Sequence, residues 1–209
     1  ARDFAKMMHY ASDKFVSLKI NTNASLLTEE LCHALLSGNT KTIVFSIDAG
    51  NKDAYEELRV NGKYERIIHN LKLFSSIRDA HYSRNTNIVR VSGVYLDSSQ
   101  SMDEMCDTWG EYADQITFVR YNSWEDPYVT DTCITDTPCS DLWRRMFIWH
   151  DLTINPCDTD YMSRLGIGSI SRYGSLENAW HSESYRNLRE KHLDGERCTL
   201  VPCRGCSLV

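Results

Sequence analysis

Basic residues do not cluster in this sequence, and no stretch of it stays apolar for long. The 23 lysines and arginines are scattered among 29 acidic residues, giving a formal charge of −6, so no basic stripe marks a nucleic-acid footprint. No apolar run nears the roughly 20 residues of a membrane helix, and no signal-peptide pattern is seen. The seven histidines include no His-x-x-x-His pair, which argues against a catalytic zinc site. Neither a G-x-S-x-G elbow nor a P-loop occurs, so those routes to acyl and phosphoryl transfer are excluded. What is present, 42% hydrophobic and 25% charged residues over 209, suits one or two globular domains whose core needs no disulfides.

Cysteine is the residue in excess. Eight stand at 32, 106, 133, 139, 157, 198, 203 and 206, five of them after residue 138. Without a secretory signal, such crowding points to metal or redox chemistry in a cytoplasmic protein rather than to structural disulfides. Cys32 and Cys106 lie in helix-like stretches and read as small buried hydrophobes. "VPCRGC" (201–206) puts a Cys-x-x-Cys pair where a chain frays unless something ties it down. Cys139 and Cys157 flank a strand-turn-strand pattern, so a hairpin brings both thiols to one end. With Cys203 and Cys206 they make four thiolates from three segments, enough for a tetrahedral zinc or an iron–sulfur cluster. Ligand type alone does not separate the two metals. Pro202 stiffens the approach, and Gly205 is expected to let the backbone turn tightly between the sulfurs.

Up to about residue 130 strand and helix signals alternate. "ARDFAKMMHYASDKF" reads as an amphipathic helix with Phe4, Met7, Met8 and Ala11 on one face, and the start at Ala1 with nothing before it suggests a fragment. "FVSLKINTN" (15–23) alternates as a strand, and "LLTEELCHALLSG" follows as a helix with Thr28 at its N-cap and Gly38 at its stop. "KTIVFSID" (41–48) is a short continuous apolar run, as in a strand buried on both faces. Two helices follow it, then the strand "NTNIVRVSGVYLD", the helix "SMDEMCDTWGEYA" and a fourth strand, "QITFVRYN" (115–122). Such alternation predicts an α/β fold with a parallel sheet, whose ligands meet the carboxyl ends of the strands. Those ends, "NTN", "SID", "SGVYLD" and "RYN", are all polar, as turn residues also are. After 130 the style becomes turn-rich: two short strands around His150-Asp151, a three-glycine loop "RLGIGSISRYGS", and one helical stretch, "SLENAWHSESYRNLREKHL". This predicts a second, smaller domain over 131–209.

The order of these motifs resembles the radical S-adenosylmethionine (SAM) superfamily. "NTNASLLTEE", "FSID", "DAYEELR" and "GKYERIIHNLKLF" are similar to that family's "TNG" strand end, "LLTEE", "SID" strand end, "YE-IR" helix and "G-Y-R-I-NL". "PCSDLWRRMFIWHDLTINPCD", "LGIGSI", "SLENAWHSESYRNLR" and "CRGC" resemble its SPASM or shorter twitch extension. The resemblance implies a partial (βα)6 TIM-like barrel, of which 1–130 holds the C-terminal strands, followed by a small α+β extension over 131–209. It implies an auxiliary [4Fe-4S] cluster on Cys139, Cys157, Cys203 and Cys206, with Cys198 and Cys133 near enough to substitute or add ligands. It implies SAM across the strand ends, with Ser46 meeting its ribose or amine, Arg59 its carboxylate, and Asn23 and Asp48 as second choices. A substrate would be lined by Arg120, Asn122 and Trp124, and the electron donor would be a flavodoxin or ferredoxin. Two departures stand out: Asn23-Ala24 where the family has "NG", and His150-Asp151 where it has "DG", so the turn types are expected to differ.

The activity implied is radical, oxidoreductase-type modification of a peptide, sugar or small metabolite. The alternatives are a module with a structural zinc held by four cysteines and a degenerate scaffold relative. The family's Cys-x-x-x-Cys-x-x-Cys, which binds the SAM-cleaving cluster, has no counterpart among the eight cysteines. These 209 residues alone are therefore expected to form no 5′-deoxyadenosine when reduced and given iron, sulfide and SAM. Chromatographic detection of that product from the isolated chain would show that the auxiliary thiols do the catalytic work.

Overall fold

The computed structural model describes residues 3–96, 100–131, 133 and 135–206; Ala1 and Asp97 lie outside them. It falls into two compact units, Ala1–Tyr121 and Asn122–Val209, so the division precedes the change of style at 130. The reason is a short helix just after the division, whose residues pack on the C-terminal cysteine turn described below.

In the first unit the expected alternation is found. Helix α1 (Phe4–Ala11) precedes β1 (Leu18–Thr22), α2 (Glu29–Leu36), β2 (Thr40–Ser46), α3 (Lys52–Leu58), α4 (Tyr64–His81), β3 (Ile88–Tyr95), α5 (Met102–Trp109) and β4 (Gln115–Arg120). The strands form one parallel sheet in the order β1-β2-β3-β4. The continuous run in β2 lies inside the sheet, with Ile43 and Phe45 fully buried in the core shared with the helices and Val44 nearly so on the opposite face. Thr28 caps α2 as expected, its hydroxyl accepting from the Leu31 N–H at 3.3 Å, and Gly38 takes a left-handed φ of 69° just past the helix end. The face read on α1 is narrower than its sequence implied: Met8 is buried, whereas Met7 is 59% exposed. Beyond β2 the loop is held by side chains, with Tyr64 and Thr108 hydroxyls donating to the Gly50 carbonyl and Trp109 Nε1 to that of Ala49. Cys32 is fully buried on α2, where desolvation pushes its thiol up to about 11; Cys106, expected to be buried, is exposed on α5.

The second unit carries α6 (Asp126–Val129), the antiparallel strands β5 (Phe147–Ile148), β6 (Thr153–Asn155) and β7 (Gly168–Ser169), and α7 (Ile170–Tyr173), α8 (Leu176–Trp180) and α9 (Glu183–Leu193). The hairpin around His150-Asp151 is present, but the stretch read as a glycine loop holds β7 and α7. The single helix expected over 175–193 is two, because Ser182 stops α8 and caps α9 by accepting from the Tyr185 N–H at 3.4 Å. A small core of Ile154, Ile167, Ala179 and Tyr185 joins the sheet to these helices. Among the described residues, no helix is long and apolar enough to cross a membrane.

Both turns that lack a family glycine keep a left-handed backbone. Ala24 has φ 60°, and its carbonyl is held by the buried Asn70 amide at 2.7 Å. In the hairpin the left-handed position is Leu152 at φ 69°, one residue beyond Asp151. There the Leu152 N–H donates to the Trp149 carbonyl at 2.9 Å, and the Trp149 N–H to that of Thr153 at 2.9 Å, as in a three-residue hairpin loop. A side chain in this region costs roughly 1–2 kcal/mol. Leu152 is 49% exposed, whereas Ala24 is fully buried. Leu152→Gly is expected to stabilise the chain by roughly 0.5–1 kcal/mol, the relief reduced by glycine's greater unfolded entropy. Ala24→Gly, which also deletes a buried methyl, should be near neutral. Urea unfolding followed by tryptophan fluorescence measures both, and a destabilised Leu152→Gly would show that the loop carries no such strain.

Candidate metal centre

Cys139, Cys157, Cys203 and Cys206 line one cavity in the second unit. Each arrives at an element end. Cys139 opens the short 3-10 turn Ser140–Trp143, Cys157 follows β6 after Pro156, and Cys203 and Cys206 bracket a 3-10 turn, with the Cys206 N–H donating to the Cys203 carbonyl at 3.3 Å. The wall between them is mostly apolar, with Leu142, Pro156, Leu165 and Pro202 contributing. Gly205 serves a different end from the one its sequence suggested. Its φ is not left-handed, but a Cβ there would stand 2.6 Å from Thr130 Oγ1 and 2.8 Å from the Pro127 carbonyl, so only glycine lets the Cys-x-x-Cys turn lie against α6.

The thiols share one electrostatic environment. Burial pushes Cys203 up to about 12, and the neighbouring charges of Cys157, Cys206 and Cys139 act in the same direction against the opposing pull of Arg197. Desolvation also raises Cys157, despite hydrogen bonds around Thr159. An apolar pocket that resists several thiolates is suited to a positively charged occupant that compensates them. Among the described residues, no three His, Cys, Asp or Glu side chains converge on a point as ligands of a single ion do; the four thiols stand around the cavity wall.

Two polar side chains in this wall went unread in the sequence. His192, 1% exposed, accepts at Nδ1 from the Cys139 N–H at 3.2 Å, and its Nε2 lies 3.7 Å from Cys203 Sγ. Burial, then the charge of Arg197, lowers its pKa to about 4, so the ring is neutral at pH 7. Arg197, also 1% exposed, donates from Nη1 to the Thr137 carbonyl at 3.1 Å. The spacing Tyr185, Leu188, His192 on α9 is the signal available in the sequence, since all three share its buried face. Cys133 and Cys198 do not line the cavity. They pair with each other as a disulfide closing a separation of 65 residues, which corrects the expectation that crowded cysteines here exclude disulfides.

In the first unit, Ser46, Asp48 and Arg59 meet at the carboxyl end of β2. Arg59 Nε lies 2.5 Å from Asp48 Oδ2 in a close ionic contact rather than an aligned hydrogen bond, and Nη2 donates to the Ser46 carbonyl at 3.4 Å. Asp48 Oδ1 accepts from the Val94 N–H at 2.9 Å, and the Asp48 carbonyl from Gln100 Nε2 at 2.7 Å. Asp48 is thus a strand-linking acceptor and Arg59 a half-buried, paired residue. Arg59 and Asn23 line an open pocket of about 370 Å³ with Tyr55 and Gly62, whereas Ser46 and Asp48 are not part of its lining. Arg120 ends β4, exposed; Asn122 is exposed, and Trp124 packs edge-on against Tyr161.

No curated protein matches this sequence. Residues 139–207 match the family model of the SPASM domain, an iron-sulfur cluster-binding domain. Among solved structures, Streptococcus suis SuiB bound to the precursor peptide SuiA is similar with a TM-score of 0.65 at 16% identity, over 90% of this chain and 53% of that one. SuiB bound to S-adenosylmethionine is similar with a TM-score of 0.62 at 16% identity, over 90% and 53%. This chain therefore spans about half the length of those structures, and at such identity they speak for its fold. The SPASM match over residues 139–207 bears out the resemblance there, and the SuiB structures bear out the fold that the resemblance implied.

Proposed function

We propose that this chain supplies the auxiliary cluster site and part of the SAM-facing sheet of a radical SAM enzyme. The carrying observation is that four cysteines from three separate segments line one apolar cavity within the residues matched to the SPASM family. Cys139, Cys157, Cys203 and Cys206 would hold a [4Fe-4S] cluster, which supplies one-electron redox chemistry when bound. The family matched over these residues is described as iron-sulfur cluster-binding, which supports a cluster over a lone zinc. On the sheet, Asn23 and Arg59 would face SAM, with Asp48 fixing the guanidinium and Ser46 anchoring it through its carbonyl. A SAM-bound relative of the same fold supports this placement, and a relative bound to a precursor peptide puts a peptide first among substrate classes. The SAM-cleaving cluster would be held by residues outside this sequence, and a flavodoxin or ferredoxin would supply the electrons.

The test is iron and acid-labile sulfide per chain after anaerobic reconstitution. The parent chain should take up both in equal amounts. Cys139→Ala, Cys157→Ala, Cys203→Ala and Cys206→Ala should each lose more than half of them and loosen the second unit by circular dichroism. Cys32→Ala, Cys106→Ala and Cys198→Ala should keep the parent's content. Uptake of zinc without sulfide, or iron lost only from the Cys32 and Cys106 variants, would refute the assignment.

A further inference from the structure

One side chain in the cavity touches two of its cysteines at once. His192 receives the backbone N–H of Cys139 on Nδ1 and presents Nε2 to Cys203 Sγ. A backbone N–H can only donate, so Nδ1 carries the lone pair; an imidazolium, with hydrogens on both nitrogens, does not fit. The proton must then sit on Nε2, where it faces the sulfur. Flipping the ring would set a carbon against the Cys139 N–H and leave a backbone donor without its acceptor. At 1% exposure, His192 has little water to stand in for that acceptor. The backbone of one cysteine thus selects the tautomer that delivers a hydrogen-bond donor to the sulfur of another.

We infer that His192 is a positioning residue of this centre: it donates Nε2–H to the Cys203 thiolate and raises the reduction potential of the cluster held there. The inference rests on the ligand assignment proposed above. An N–H···S bond draws electron density from the thiolate and so favours the reduced, more negative cluster; hydrogen bonds to cluster sulfurs are among the determinants of potential. His192 also differs in kind from Arg197. The guanidinium reaches past the cavity to the Thr137 carbonyl, whereas the imidazole, its Nδ1 accepting from the Cys139 N–H, directs Nε2 at a sulfur.

The experiment combines metal analysis with a redox titration followed by electron paramagnetic resonance. Reconstituted His192→Phe should hold the parent's iron and sulfide yet reduce less readily, by about tenfold in equilibrium constant, which is about 59 mV for one electron. His192→Gln, whose amide offers both an acceptor and a donor, should recover part of that shift. Full iron and sulfide with an unchanged potential in His192→Phe would overturn this inference alone. A parent chain that binds zinc and no sulfide would overturn it together with the ligand assignment. A measurement independent of any variant is long-range proton–nitrogen NMR of the parent chain without metal. The Nε2–H tautomer of His192 supports the inference, and the Nδ1–H tautomer sinks it.

Discussion

The carboxylate of Asp160 is the constraint on which the second unit turns. It is fully buried, and it is satisfied by the Tyr128 hydroxyl at 2.7 Å, the Arg164 N–H at 3.0 Å and the Leu165 N–H at 2.7 Å. Its own carbonyl accepts from Asn155 Nδ2 at 2.6 Å, at the end of β6. A buried carboxylate without such donors would be too costly to keep ionised. Burial, and then the hydrogen bond to Asp160, raise the Tyr128 phenol well above its usual range. Tyr128 belongs to α6, whose Pro127 and following Thr130 abut Gly205. One carboxylate therefore ties the segment leaving Cys157 to the helix against which the Cys203–Cys206 turn is seated. Cys139 is joined to Cys203 by a second route, through the ring of His192.

Asp48 plays the comparable part in the first unit. It takes the Val94 N–H from β3, holds Arg59 at the end of α3, and receives Gln100 on its backbone. The polar residues at the carboxyl end of β2 are not simply loop punctuation, since Asp48 cross-links β3 and Arg59. At the end of β1 the Asn23 side chain instead accepts from the Ser25 N–H, as a turn residue does. Arg59 reaches the pocket already oriented by Asp48 and the Ser46 carbonyl.

What the sequence revealed followed from local rules. Thr28 as a cap, the apolar run of β2 and the hairpin around His150-Asp151 each depend on residues within a few positions of one another, and each was legible. The site was half legible. The four cysteines singled out in the sequence do line one cavity, but the Cys133–Cys198 pairing joins residues 65 apart, and connectivity of that kind leaves no trace in spacing. His192 was hidden because a histidine that bonds a backbone amide and a sulfur belongs to no ligand motif. The left-handed backbone of Ala24 and Leu152 was equally hidden, because it is held by the distant Asn70 amide in one case and by the hairpin ladder in the other. The break between α8 and α9 rests on one serine inside an otherwise helical pattern, where propensity alone gives too weak a signal.

The wide separation of the cavity's walls along the chain has a consequence for biogenesis. Cys139 leaves the ribosome well before Cys203 and Cys206, while the strand, loop and helix that position them are made in between. Contacts of such long range form late in folding, after shorter ones have closed. The hairpin bearing Cys139 and Cys157 must therefore wait, half-lined, for α9 and the final turn to arrive. The full set of four thiols therefore exists only once the whole of the second unit has been made.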